Sequence, residues 1–139
     1  MDGRKFLDVA RELLSGTTEA HWRSAAGRAY YSVILEAKSA LDRWGIILQR
    51  RDPIHAAVRL RLTYVQDADL QLVGKALDDL VRLRNKADYD LTSPGPFANS
   101  STAATAITQA DEAIRKLDQV QADAARLAVA VADIRARFP

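Results

Sequence analysis

From Ser101 to Phe138 the chain contains neither proline nor glycine, and its apolar residues recur at steps of three and four. Ile107, Ala110, Ile114, Leu117, Ala124, Leu127, Val131, Ile134 and Phe138 carry the rhythm, with Val120 or Gln121 at the intervening step. That period belongs to the α-helix; a strand alternates its side chains and cannot gather such a stripe on one face. Unbroken, the helix would span roughly 55 Å at its rise per residue. That is wider than a compact domain of this size, so the segment is expected to protrude or to meet a second subunit along its seam.

The remainder follows the same rule. The six glycines and four prolines are too few and too clustered to interrupt more than a handful of points. A first helix is expected from Gly3 to Ser15, with Phe6, Leu7, Ala10, Leu13 and Leu14 at helical spacing and Gly16 as its stop. Thr17 or Thr18 can cap a second helix, with Glu19 near its positive end. Trp22, Ala26, Tyr30, Val33, Ala37, Leu41 and Trp44 line one face of it, and Gly45 ends it. Asp52-Pro53 reads as the cap and first turn of a third helix carrying Ile54, Ala57, Val58 and Leu62. Asp67 is placed to cap a fourth, with Leu70, Val73, Leu77, Leu80, then Leu83 or Arg84, and Ala87 as its seam. Ser93-Pro94-Gly95-Pro96 stops that helix. The expectation is an all-α bundle of about five helices with a long C-terminal helix, forming one domain over residues 1–139.

Composition narrows the class. Apolar residues make up 48% and charged residues 27%, which fits a packed core and argues against disorder. A net charge of +2 excludes a general polycation. With no cysteine, thiolate metal sites and cysteine nucleophiles are excluded, and a reducing cytoplasm fits. The first residues lack the apolar core of a signal peptide, and no apolar run approaches the about 18 residues a membrane span needs. The expected location is the cytoplasm, away from membrane.

Chemistry concentrates in Arg84-Asn85-Lys86-Ala87-Asp88-Tyr89. Leu77, Leu80, Arg84 and Asp88 are spaced so that Arg84 projects beside the core stripe. A guanidinium there must be paired or must open onto a cleft. It reads either as a brace to Asp88 four residues on, with Tyr89 beside it, or as a fork of donors for a phosphate. On the second helix Ser24, Arg28, Tyr31 and Leu35 share a face apart from the Trp22–Trp44 stripe. Tyr30 falls to the core and Tyr31 to the flank or cleft, while Arg28 is either a solvated cation or a ligand contact.

Arg43, Arg50, Arg51, Arg59 and Arg61, with His55 and a lone Asp52, form the one local positive excess. It reads as a solvated face or as a patch for a phosphate backbone. Neither His21 nor His55 has a metal-ligating partner at useful spacing. No phosphate loop, nucleophile elbow or carboxylate pair appears, so no metal and no cofactor are expected.

Taken in order, Gly27-Arg28-Ala29-Tyr30-Tyr31-Ser32, Pro53-Ile54-His55-Ala56-Ala57-Val58 and Arg84-Asn85-Lys86-Ala87-Asp88-Tyr89 resemble the HEPN superfamily (higher eukaryotes and prokaryotes nucleotide-binding), in particular its small stand-alone prokaryotic members. The resemblance runs over residues 3–138. It implies an antiparallel bundle that dimerises so that two motifs share a cleft. Active members of that superfamily are metal-independent endoribonucleases whose motif arginine is followed, four to six residues on, by histidine. Arg84 matches that arginine and Asn85 the polar residue after it, but the histidine positions hold Tyr89, Asp90 and Leu91. Tyrosine, unperturbed near pKa 10, is a poor base at pH 7. Asp88 could serve only if its pKa rose, against the pull of Arg84.

The resulting expectation is a HEPN-type accessory or regulatory protein, linked to a toxin–antitoxin or defence system, that binds RNA or nucleotide. Arg84 and Asn85 would contact phosphate, Asp88 would orient Arg84, and Arg28 and Tyr31 would line the cleft. The expected partners are a second copy and, from the resemblance, a small nucleotidyltransferase-like protein. Two alternatives stand beside it. One is a metal-independent endoribonuclease in which Arg84 stabilises the pentacovalent phosphate and Tyr89 or Asp88 replaces histidine. The other is a structural, protein-binding dimer in which the cluster is only a brace.

Overall fold

A computed structural model describes residues 2–139 and is helical throughout, with no strand among the described residues. The described residues form six α-helices in order: α1 (Arg4–Leu14), α2 (Glu19–Arg43), α3 (Ile54–Tyr64), α4 (Ala68–Tyr89), α5 (Ser101–Ala122) and α6 (Ala124–Arg137). A single 3-10 turn, Gly95–Phe97, lies between α4 and α5.

α2 is the hub, packed against α1, α4 and α5. Its alanines explain how one helix serves several neighbours. Ala25, Ala26, Ala29, Ala37 and Ala40 are all buried, and small side chains let adjacent helices approach from different sides. Tyr30, Val33, Ile34 and Leu41 fill the spaces between. The helix begins where Thr18 Oγ1 accepts the His21 N–H at 3.3 Å, and it ends at Gly45, whose φ of +74° suits glycine.

α4 buries Leu70, Val73, Leu77 and Leu80 against α2, α3 and α5. Asp67 caps it, its carboxylate accepting the Leu70 N–H at 3.0 Å. Gly74 lets α3 come close: a Cβ there would lie 2.8 Å from the Thr63 amide nitrogen. At the start of α3 the expected cap is absent. Pro53 itself occupies the cap position, and no Asp52 side-chain bond closes the turn.

The largest correction concerns the C-terminal segment, which is two helices and not one. Asp123 leaves helical geometry at φ −106° and ψ 96°, and its side chain caps α6 by accepting the Arg126 N–H at 3.1 Å. α5 spends its seam inside the chain, since Ile107, Ala110, Ile114, Leu117 and Val120 are buried. α6 then packs on α3 and α5, so the protrusion expected of a single long helix does not occur. Arg126 fastens α6 to the start of α4, reaching Asp67 at 2.5 Å and Asp69 at 2.9 Å. Asp133 accepts the Gln66 N–H at 2.7 Å. No described helix is long and apolar enough to cross a membrane.

Candidate phosphate-binding cleft between α2 and α4

At the C-terminal end of α4 a cation from α2 gathers the carbonyls of the last turn and of the loop after it. Of these, only that of Lys86 already accepts a backbone N–H, from Asp90 at 3.1 Å. Arg23, only 8% exposed, donates to the carbonyls of Lys86 at 3.1 Å, Ala87 at 2.9 Å, Asp90 at 2.9 Å and Ser93 at 3.0 Å. Glu19, one turn earlier, neutralises it at 2.7 Å, and its guanidinium lies 4.9 Å from the Phe97 ring centre. Ala26, Ala87 and Phe97 pack beneath as a small second core. This plug holds the end of α4 against α2 and so sets the position of Arg84 and Asp88.

Arg84 lies on the α4 face toward α2, its Cγ 3.9 Å from where a Cβ on Gly27 would sit. Its Nη2 donates to the Tyr31 hydroxyl at 2.9 Å, and its charge lies 5.4 Å from the Tyr31 ring centre. Nη1 reaches Asn85 Oδ1 at 3.2 Å. Asp88 Oδ2 stands 3.0 Å from Nε, yet that buried N–H has no hydrogen-bond partner. Proximity without alignment makes this an ion pair and not a hydrogen bond, so the carboxylate compensates the charge without consuming the donor. Ser24, Gly27, Arg28, Tyr31 and Asp88 enclose a cleft of about 300 Å³. Arg28 is exposed, 5.6 Å from the Phe6 ring centre, and has no carboxylate partner among the described residues.

Next to Tyr31 the structure adds a histidine that the motif lacks. His55, from the first turn of α3, lies edge-on to Tyr31 with ring centres 6.4 Å apart. The Tyr30 hydroxyl is 2.5 Å from His55 Nδ1. Burial holds the imidazole below its ordinary pKa, and the nearby Arg84 charge adds to the effect. Burial also pushes the Tyr30 phenol up to about 12. Tyr30 is 2% exposed, and its hydroxyl shares one hydrogen bond with Nδ1 of the ring, whose direction follows the ring's tautomer.

The residues singled out from the sequence thus divide. Arg28, Tyr31 and Asp88 line one cleft, with Arg84 joined to Tyr31 and Asp88, and Asn85 touches Arg84. Tyr89 is 74% exposed and does not line that cleft. The basic stretch after Arg43 does not stay together. Arg59 turns to Asp78 on α4 at 2.7 Å, whereas Arg61 points elsewhere, 4.7 Å from the Phe138 ring centre. Two positions apart on a helix face opposite ways, which sequence proximity conceals.

Sequence reasoning missed Arg23 and the place of His55. Glu19 four residues before Arg23 was a visible helix pair, but nothing in the sequence names the α4 carbonyls as partners. Comparison with protein-family models, curated proteins and solved structures finds no match.

Proposed function

We propose that this protein binds the phosphate of RNA or of a nucleotide in the cleft between α2 and α4, acting as a HEPN-like accessory or regulatory protein. One observation carries the reading. Arg28 lines a polar cleft and has no carboxylate partner among the described residues, and Arg84 borders that cleft through its contacts with Tyr31 and Asp88. Arg84 and Asn85 contact phosphate, Asp88 orients Arg84, and Arg28 and Tyr31 line the approach. The bundle runs antiparallel, and two copies bring their clefts together, as the resemblance implies. A toxin–antitoxin or defence setting and a nucleotidyltransferase-like partner rest on that resemblance too.

A second reading, metal-independent RNA cleavage, is favoured by one specific feature: the neutral His55 imidazole beside Tyr31. It is a better proton-transfer group than Tyr89, which stands out in solvent, or Asp88, which is paired with Arg84.

The test compares wild type with Arg84→Ala for binding of short RNAs and nucleotides by fluorescence anisotropy, and for degradation of total RNA in chelator. Binding that vanishes in the variant, with no degradation by either protein, supports the accessory reading. Degradation lost in both Arg84→Ala and His55→Gln establishes the second. Wild type that neither binds nor cleaves overturns both.

A further inference from the structure

One residue separates α5 from α6. Asp123 alone leaves helical geometry there, at φ −106° and ψ 96°, with an alanine on either side. Ala122-Asp123-Ala124 holds neither glycine nor proline, and alanine is the best helix former, so nothing local forbids a continuous helix. Against continuation stands the cap, in which Asp123 Oδ1 accepts the Arg126 N–H at 3.1 Å. The face that α6 turns inward is also the one a continuous helix would need. Leu127 and Val131 are half-buried against the core and Ile134 is buried; unbroken, they would prolong the stripe of Ile107, Ile114 and Leu117. Straightening would carry the 14 residues of α6 about 21 Å past the end of α5, off the body of their own chain.

The seat that α6 would vacate is specific. Asp67 and Asp69 receive Arg126, the Gln66 N–H donates to Asp133, and the carbonyls of Trp44 and Gly45 accept from Arg135 at 3.4 and 3.3 Å. Only Ala130 and Ile134 of α6 are buried, so these polar contacts set the fit as much as apolar packing does. We propose that α6 is exchanged between two copies of this chain: Asp123 straightens, α5 and α6 join as one helix, and each α6 fills the seat vacated on the other copy. Every contact of α6 is remade between chains by the same residues. The exchange therefore costs the entropy of association and gains the helical hydrogen bonds across Asp123. It also gives the unbroken apolar stripe of the C-terminal segment a partner of matching chemistry. The inference is independent of the phosphate reading, because the α6 seat at Asp67 and the cleft at Asp88 stand at opposite ends of α4.

The experiment refolds wild type, Asp123→Ala and Ala124→Pro from urea at low and at high protein concentration and measures mass in solution by light scattering. Asp123→Ala removes the cap and favours the continuous helix. Ala124→Pro suits the first position of a separate α6, and the extended backbone of Asp123 suits a residue before proline. Inside a continuous helix a proline there would clash with the Val120 carbonyl, so this variant blocks the exchange. Wild type should give a dimer from the concentrated sample and monomer from the dilute one. Asp123→Ala should raise the dimer share severalfold, and Ala124→Pro should give none. A second arm refolds Arg126→Glu and Asp67→Lys chains together. Each α6 then meets a seat of opposite charge only on the other chain, so mixed dimers should exceed the share that random pairing gives. Wild type that stays monomeric throughout, or mixed dimers at the random share, overturns the exchange. Ala124→Pro that dimerises as readily as wild type also overturns it, and leaves a contact between clefts standing.

Discussion

Arg84 Nη2 donates to the Tyr31 hydroxyl at 2.9 Å, a bond between helices 53 residues apart in sequence. It fixes the guanidinium on the face of the Tyr31 ring and leaves Arg84 no freedom to swing into solvent. Tyr31→Phe keeps the ring and removes only the acceptor. Urea denaturation should show a loss of about 1 kcal/mol. RNA affinity should fall about fivefold in step, because the arginine is no longer held in place. Unchanged affinity at reduced stability would make the bond a brace alone.

Arg23 is the element whose loss should matter most to the fold. Arg23→Met keeps much of the side-chain volume but leaves the carbonyls of Lys86, Ala87, Asp90 and Ser93 without their shared donor. A cost of about 3 kcal/mol is expected for these charge-assisted bonds. Amide exchange should rise first at the C-terminal turns of α4, before the rest of the bundle. A stability change no larger than that of an exposed arginine would refute the role given to Arg23.

The His55–Tyr30 pair predicts a dependence on pH. The folded imidazole titrates below its ordinary value of 6.5, burial being the larger cause and Arg84 the second. Above 6.5 the ring is neutral in both folded and unfolded chains, and the pair contributes in full. As the pH falls through 6.5 the unfolded chain takes up the proton first, so stability declines until the folded ring is protonated as well. Chemical denaturation between pH 7 and pH 5 should show this decline in wild type, and His55→Gln should flatten it. Equal slopes in the two proteins would contradict the assignment.

α6 is held by a second set of charges. Burial opposes ionisation of Asp67, but the Arg126 hydrogen bond and the Leu70 amide outweigh it and keep the carboxyl below its ordinary 3.8. Asp67 is therefore charged down to lower pH when folded than when unfolded, and its contribution is lost as the pH falls below 3.8. Asp67→Ala removes the cap of α4, costing about 1 kcal/mol, and leaves Arg126 only its pair with Asp69. Hydrogen exchange should accelerate in α6 while the buried middle of α2 stays protected. Uniform acceleration across both helices would show that α6 is not separately fastened.

Much of this architecture was legible from spacing. Most of the apolar steps on α2 and α4 fall on buried residues, although Trp22 is half-buried and Ala25, Ala29, Ile34 and Ala40 are buried beside the expected stripe. Thr18, Gly45 and Asp67 mark helix ends by their own chemistry. The break at Asp123 was harder, because Ala122-Asp123-Ala124 contains no helix breaker and the apolar rhythm continues past it. Only the capping preference of aspartate, which competes with continuation of the helix, hinted at it. The Arg84 cluster could be seen as a helical patch, but His55 could not be joined to it. That contact depends on how α3 lies against α2, and the path is set by the close approach at Gly74, where local sequence is silent. Arg23 stayed hidden for the same reason: its partners are backbone carbonyls of a distant helix.

The central claim is that phosphate binds between Arg84 and Arg28. Its most direct measurement is a titration of the isotope-labelled protein with a short single-stranded RNA, followed by NMR shifts of the arginine side chains and of the backbone. The account predicts saturable shifts centred on Arg84, Arg28, Tyr31 and Asn85, all absent in Arg84→Ala. Saturable shifts confined to another surface, such as the groove by Asp67, Val129 and Asp133, or no shifts at any RNA concentration, would contradict it.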